Sequence, residues 1–235
     1  MVTSTVTHRA LDGVTYALST DLDLSKPATS VADVVVGGRL HEWTMGIDQL
    51  GDDVADALGV SGFDSELTYE GGLLRTAVST EYDPQTELVE HPLLVVWQAR
   101  RYSIITRLYN ASVTDALTQL RALRPEETDN GITMSPDFSA GAAFAGPATV
   151  IKEVPGLGLL EMTAPTEEQT AQLPPWKGIP VIDGELYRDN LADGSPFFVM
   201  STPQVWATVV PLNGTDVAAV PDLAARLSLS VVEDA

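Results

Sequence analysis

Three histidines (His8, His41 and His91) and thirty-three carboxylates are the side chains that could carry acid–base, nucleophilic or metal chemistry in this chain. Their spacing assigns them none. No His-Glu-x-x-His pair is present, and the intervals between the histidines suit no local zinc motif. His41-Glu42 and Glu90-His91 each set a carboxylate beside an imidazole, but neighbours on a strand point to opposite faces. No Gly-x-Ser-x-Gly turn presents a nucleophile, so a hydrolytic site would have to be assembled in space. With so many acids, two adjacent carboxylates carry no information about glycoside chemistry. Cysteine is absent, which removes disulfides, thiolate metal sites and cysteine nucleophiles together. The sequence predicts no catalytic, cofactor-binding or metal-ligating residue and no cofactor.

Three further segments imitate ligand loops. Gly141 and Gly146 have the spacing of a phosphate loop, but Pro147 and Ala148 stand where Lys and Ser or Thr are required. Gly156-Leu157-Gly158 lacks the third glycine of a dinucleotide fingerprint and precedes a strand-like run. Asp189–Gly194 resembles a calcium loop, yet Leu191 occupies a ligand position and Met200 falls where a bidentate Glu belongs.

The remaining candidate is a contact residue. Trp176 follows Pro174 and Pro175 in a Pro-rich stretch from Ala164 to Pro180 and cannot easily belong to a regular element. An aromatic on such a loop either plugs the core or anchors a partner, and tryptophan is enriched at binding hot spots. Trp176, with Pro174 and Pro175, is the predicted partner contact. Trp97, Trp43 and Trp206 read as core or lobe-contact residues. Asn110-Ala111-Ser112 and Asn213-Gly214-Thr215 match glycosylation sequons, which matter only in a secretory context.

Charge narrows the partners. A net charge of −20 and a pI near 4.2 leave no cation cluster able to neutralise phosphates. The densest basic spots, Arg100–Arg101 and Arg121 with Arg124, read as solvated charges. Nucleic acid and anionic membrane surfaces are not expected partners; another protein, or a second copy, is. The acids are scattered, with the tightest group at Asp48, Asp52, Asp53 and Asp56, which does not form the stripes of a nucleic-acid mimic. Ten arginines against three lysines, with abundant Ala, Val, Thr and Asp, suggest a high-GC genome such as that of an actinobacterium or its phage. No apolar stretch marks a signal peptide, and no run approaches the ~20 apolar residues of a membrane span. The expected location is the cytoplasm, or the interior of a virion or other assembly.

The elements that must position these residues are mostly strands. Val14–Leu18, Val31–Val36, Leu67–Tyr69, Leu73–Thr80, Leu93–Trp97 and Tyr102–Tyr109 are β-prone. Gly71–Gly72 and Gln98–Arg101 are expected turns, and Asp183–Gly184 signals a two-residue hairpin. Phe197–Met200 and Val205–Leu212 read as further strands. Apolar residues at helical spacing predict a helix over Met45–Leu58, with the acidic group on its solvated face. A second runs from Ser112, an N-cap with Asp115 three residues on, to Pro125. A short third lies near Pro221–Leu227.

The expected fold is α+β: mainly antiparallel strands with two or three helices packed on one face, possibly in two lobes. The division would be 1–125 and 148–235, with 126–147 a flexible linker or long loop, although a single domain is also open. The order of features in Leu94–Pro125 (Trp97, a strand, then a Ser-capped leucine helix) resembles sensor ectodomains of actinobacterial anti-sigma and lipoprotein type, over about an eighth of the chain. No function is carried across from it. The sequence favours a non-enzymatic interaction or assembly protein, such as a subunit of a viral or cellular complex. A hydrolase with a spatially assembled site and a sensor-type ligand-binding domain are the other two classes.

Overall fold

A computed structural model describes residues 3–84 and 87–232. In chain order the strands begin with β1 (Ser4–Arg9), β2 (Thr15–Thr20), β3 (Ala28–Val36) and β4 (Arg39–Ile47), followed by helix α1 (Leu50–Ala57). Then come β5 (Ser65–Tyr69), β6 (Gly72–Val78), β7 (Glu81–Asp83), β8 (Leu88–Glu90), β9 (Leu93–Gln98), β10 (Tyr102–Leu108) and α2 (Val113–Leu123). The middle of the chain holds β11 (Glu126–Thr128), β12 (Gly131–Thr133), a 3-10 turn at Phe138–Ala140, β13 (Ala142–Phe144), β14 (Thr149–Val154) and β15 (Gly158–Thr163). The remainder is α3 (Glu167–Ala171), β16 (Ile179–Val181), β17 (Gly184–Asn190), β18 (Pro196–Ser201), β19 (Trp206–Val210), α4 (Val220–Ala224) and β20 (Ser228–Val232). The protein is a mostly antiparallel β-structure with short helices, broadly α+β.

The chain forms two compact units, and neither is continuous in sequence. One comprises Met1–Ala10, Val14–Ala28 and Pro147–Ala235; the other comprises Leu11–Gly13 and Thr29–Gly146. This differs from the division expected at 126–147. That stretch is not a bare linker, because β11 pairs with β12 and β13 pairs with β3, all within the second unit. The N-terminal residues join the C-terminal ones because β2 lies between β1 and β20.

In the first unit, β16, β17, β18, β19, β15 and β14 follow one another as antiparallel neighbours. Alternating burial along β14, β18 and β19 shows one face in the core, with Phe198, Met200, Ala207 and Val209 buried. The β1–β2–β20 sheet contributes buried Tyr16, Leu18 and Leu229.

His8, which precedes the first β-prone run read from the sequence, is paired opposite Tyr16 in β1 and half-buried. Burial, and secondarily the nearby Lys152 ammonium, lower its pKa from 6.5 to about 4. Lys152 is itself buried and donates to the Lys26 carbonyl; burial lowers its pKa as well. Between pH 6.5 and 4 the unfolded His8 binds a proton that the folded one refuses, so its contribution is complete above 6.5 and lost as pH falls toward 4. After allowance for partial exposure the loss should be about 1–3 kcal/mol. His8→Asn should flatten the melting temperature over that window, and an unchanged pH profile would show that His8 is not the titrating group.

In the second unit the antiparallel order is β13, β3, β4, β10, β9, β6, β5. The helices lie on opposite faces of this sheet, not on one. A Cβ at Gly46 would sit 2.9 Å from Leu50 of α1, whereas His41 bonds Gln119 of α2. Positions 41 and 46 differ by an odd number, so they face opposite ways. Helix α1 covers Leu94 and Val96, with Val54, Leu58, Val60, Phe63 and Ile105 around them. It starts later than expected because Met45 and Ile47 pair across to Ser30 and Tyr102. Of its acidic group, Asp52 is not free: it bonds Arg75 at 2.7 Å, and the buried Arg75 guanidinium lies 4.3 Å from the Phe63 ring centre. Helix α2 follows its local code, with Ser112 and Asp115 forming a reciprocal capping box and Arg124 closing it in the left-handed region.

Candidate functional site

In the first unit, Thr166 caps α3 and Gln169 completes its capping box, so the helix starts firmly and ends before Pro174. The chain then runs exposed into β16, a three-residue edge strand that, among the described residues, pairs with β17 alone. Trp176 is 68% exposed, with Ile179 at 48% and Ile182 at 44%. Pro175 is exposed and Pro174 half-buried. The predicted contact residues therefore lie at the surface, and Trp176 does not plug the core. Pro180 in β16 lacks the donor that an added strand would need, so this edge offers side chains and not a backbone ladder. Glu185 fixes the far end of the segment, accepting from the Gly178 amide at 3.4 Å and from the Tyr187 hydroxyl. The tyrosine bond, then the Gly178 amide and Lys177, hold the Glu185 carboxyl below its usual range.

His41 and His91 each meet one polar side chain. Gln119 donates to His41 Nε2 at 3.1 Å, and burial, helped by Arg39, lowers the His41 pKa. His91 Nδ1 lies 3.3 Å from the Thr80 hydroxyl. Among the described residues, no three His, Asp or Glu side chains are grouped to hold a metal ion. The Gly141–Gly146 segment closes the 3-10 turn and forms β13. Residues Asp189–Gly194 lead β17 into its turn toward β18, Asp193 accepting from the Ser195 amide.

In the second unit three of the four arginines noted in the sequence come together. Arg100, Arg121 and Arg124 line a cleft of about 600 Å³ with Tyr69 and Trp97. Trp97 is buried there and donates from Nε1 to the Tyr69 carbonyl at 2.9 Å. Glu127 accepts from the Arg101 and Arg100 amides at 2.6 and 3.3 Å, and Arg124 pairs with Asp137. Glu70, Glu126 and Glu127 line the same cleft, so its charges balance.

A different opening lies over β4 and β10 on the α1 side of the sheet. These strands pair in register over Thr44–Ile47 and Ile105–Tyr102, and the ladder ends there although both strands continue side by side. Their continuing ends line a cleft of about 670 Å³ with Leu50 and Val54 of α1. On the other side of the sheet, Arg39, His41 and Leu108 line a second opening of about 420 Å³ with Asp115 and Gln119 of α2. Just past the last ladder pair the Thr106 hydroxyl donates to the Glu42 carbonyl at 2.7 Å. At the rim of the first cleft Glu81 accepts from Arg107 at 3.0 Å and from the Tyr109 hydroxyl at 3.1 Å, fixing both. Sequence reading does not find this cleft, because strand propensity marks β4 and β10 without stating which strands meet or where their ladder stops. The exposed polar-apolar mixture of Arg39–Glu42 is the one local hint.

No family model, curated protein or solved structure matches this chain. Among the described residues, no helix is long and apolar enough to cross a membrane.

Proposed function

We propose that this chain is a non-enzymatic protein-interaction or assembly subunit that binds a different protein through the Trp176 segment. The observation that carries the reading is the 68% exposure of Trp176 in the same segment as exposed Ile179 and Ile182. Large apolar side chains grouped at a surface mark interaction sites more often than they serve the fold. A net charge of −20 opposes association of identical copies and favours a neutral or basic partner. The contact chemistry is an apolar pocket on that partner receiving the indole, with Pro175 limiting the conformational freedom lost on binding.

Trp176→Ser should leave the thermal unfolding of the chain unchanged within about 0.5 kcal/mol, since the side chain is exposed. It should weaken a purified partner, first identified by cross-linking in the source cell, by about tenfold or more. Equal affinity of the parent and the variant would remove Trp176 as the anchor. Light scattering over a hundredfold concentration range should return the monomer mass. A concentration-dependent oligomer lost in the variant would assign the segment to self-association.

A further inference from the structure

We infer that Asn213 is a site of spontaneous covalent modification, where water turns the side-chain amide into a carboxylate through a cyclic imide. The chain contains two Asn-Gly pairs, Asn130–Gly131 and Asn213–Gly214. Glycine has no Cβ to obstruct the approach, so its backbone nitrogen can reach the Cγ of the asparagine before it. By sequence the two pairs are equivalent; by structure they are not. Asn213 and Gly214 are both exposed, in the connection between β19 and α4. They are the central residues of a turn in which Gly214 takes a φ of 91°, as the third residue of a type II turn does. Among the described residues one hydrogen bond closes this turn, from the Thr215 amide to the Leu212 carbonyl at 2.9 Å. Neither the Asn213 side chain nor the Gly214 N–H bonds another described residue. A Cβ at Gly214 would meet nothing within 4 Å, so water has access.

Asn130–Gly131 is held far more firmly. It lies at the β11–β12 hairpin, where Gly131 is buried and in register with Thr128. The Thr128 hydroxyl donates to the Gly131 carbonyl at 2.9 Å. Arg101 donates to the Thr128 carbonyl at 2.9 Å and to the Asp129 carboxylate at 3.0 Å, and the Tyr102 hydroxyl donates to the Asp129 carbonyl at 3.3 Å. Opening this turn breaks several bonds, whereas opening the turn at Asn213 breaks one.

The reaction at Asn213 starts when the Gly214 nitrogen loses its proton to hydroxide and bonds to Cγ. The Cγ–Nδ2 bond breaks, and Nδ2 leaves as ammonia after taking a proton from water. Water then opens the imide at either carbonyl, giving aspartate or, with the chain rerouted through Cγ, isoaspartate. The sum is asparagine plus water to acid plus ammonia, with no change of oxidation state. The same residue heads the Asn213-Gly214-Thr215 sequon, but a glycan needs a transferase and this reaction needs only water. Each copy thus carries a mark of its age before α4, independent of the Trp176 contact.

The test holds the full chain at neutral and at mildly alkaline pH and follows both pairs by peptide mapping with mass spectrometry. Ion-exchange chromatography reads the added negative charge. Asn213 should convert faster than Asn130 by about tenfold or more, because the reaction tracks the population of the open turn. Its rate should rise with hydroxide concentration, and isoaspartate should exceed aspartate. In the urea-unfolded chain the two pairs should react at nearly equal rates, since only the fold separates them. Asn213→Gln, whose longer side chain closes a ring far more slowly, should lose the charged species and keep the parent's unfolding curve. Equal rates at the two pairs in the folded chain would overturn the assignment. So would an Asn213 that converts only when the chain is unfolded. A rate difference that persists in urea would assign the selectivity to flanking residues and overturn it as well.

Discussion

Gly184→Ala is expected to destabilise the first unit by about 3 kcal/mol or more, measured by urea unfolding followed by circular dichroism. A Cβ at this position would stand 2.1 Å from the Ser201 carbonyl oxygen and 2.9 Å from its carbon. Both atoms are backbone, and Ser201 is already paired with Glu185 and Trp206. Relief by a rotamer change is impossible, so either β17 leaves β18 or the turn before it opens. Gly62→Ala is the matched control, because its Cβ would meet nothing within 4 Å. That variant should stay within about 0.5 kcal/mol of the parent. Equal behaviour of the two would mean that β17 and β18 are not held at this spacing in solution.

Trp97→Ala should cost the second unit about 3–5 kcal/mol, the usual penalty for emptying a buried aromatic site. Trp97 is 2% exposed, between Leu74 and Ile104 on the neighbouring strands, and its indole bonds the Tyr69 carbonyl. Gly72 exists to admit it: a Cβ there would lie 2.6 Å from Nε1. A comparison of Trp97→Phe with Trp43→Phe isolates the hydrogen bond. Trp43 is fully buried, but its Nε1 has no partner among the described residues. Trp97→Phe should therefore cost about 1 kcal/mol more than Trp43→Phe. Equal costs would show that the bond to Tyr69 adds no net stability.

These glycines also explain where sequence reading went astray by one residue. Gly71–Gly72 and Asp183–Gly184 read as turns, but the turns are Glu70–Gly71 and Ile182–Asp183. Glu70 and Asp183 accept left-handed φ values of 44° and 64°. The following glycines are strand residues, required because Trp97 and the Ser201 carbonyl press against them. A glycine needed for φ and a glycine needed for space look identical in a sequence. The same limit applies to Asp52, which reads as part of a solvated face until Arg75 is seen beneath it. Trp176 was legible as a candidate because its prolines exclude regular structure. Whether it faced inward or outward was not.

By itself the sequence determined what is written over a few adjacent residues: the β-prone runs, the capped helix α2 from Ser112, the acidic charge and the lack of cysteine chemistry. Propensity, capping and charge act locally, so neighbours suffice to express them. The tertiary structure alone decided the discontinuous units, the placement of α1 and α2 on opposite faces, the half-buried His8 and the end of the β4–β10 ladder. Each of these depends on which distant strands meet and where their pairing ends. That choice is made by burial and backbone pairing summed over the whole chain, and no single segment encodes it.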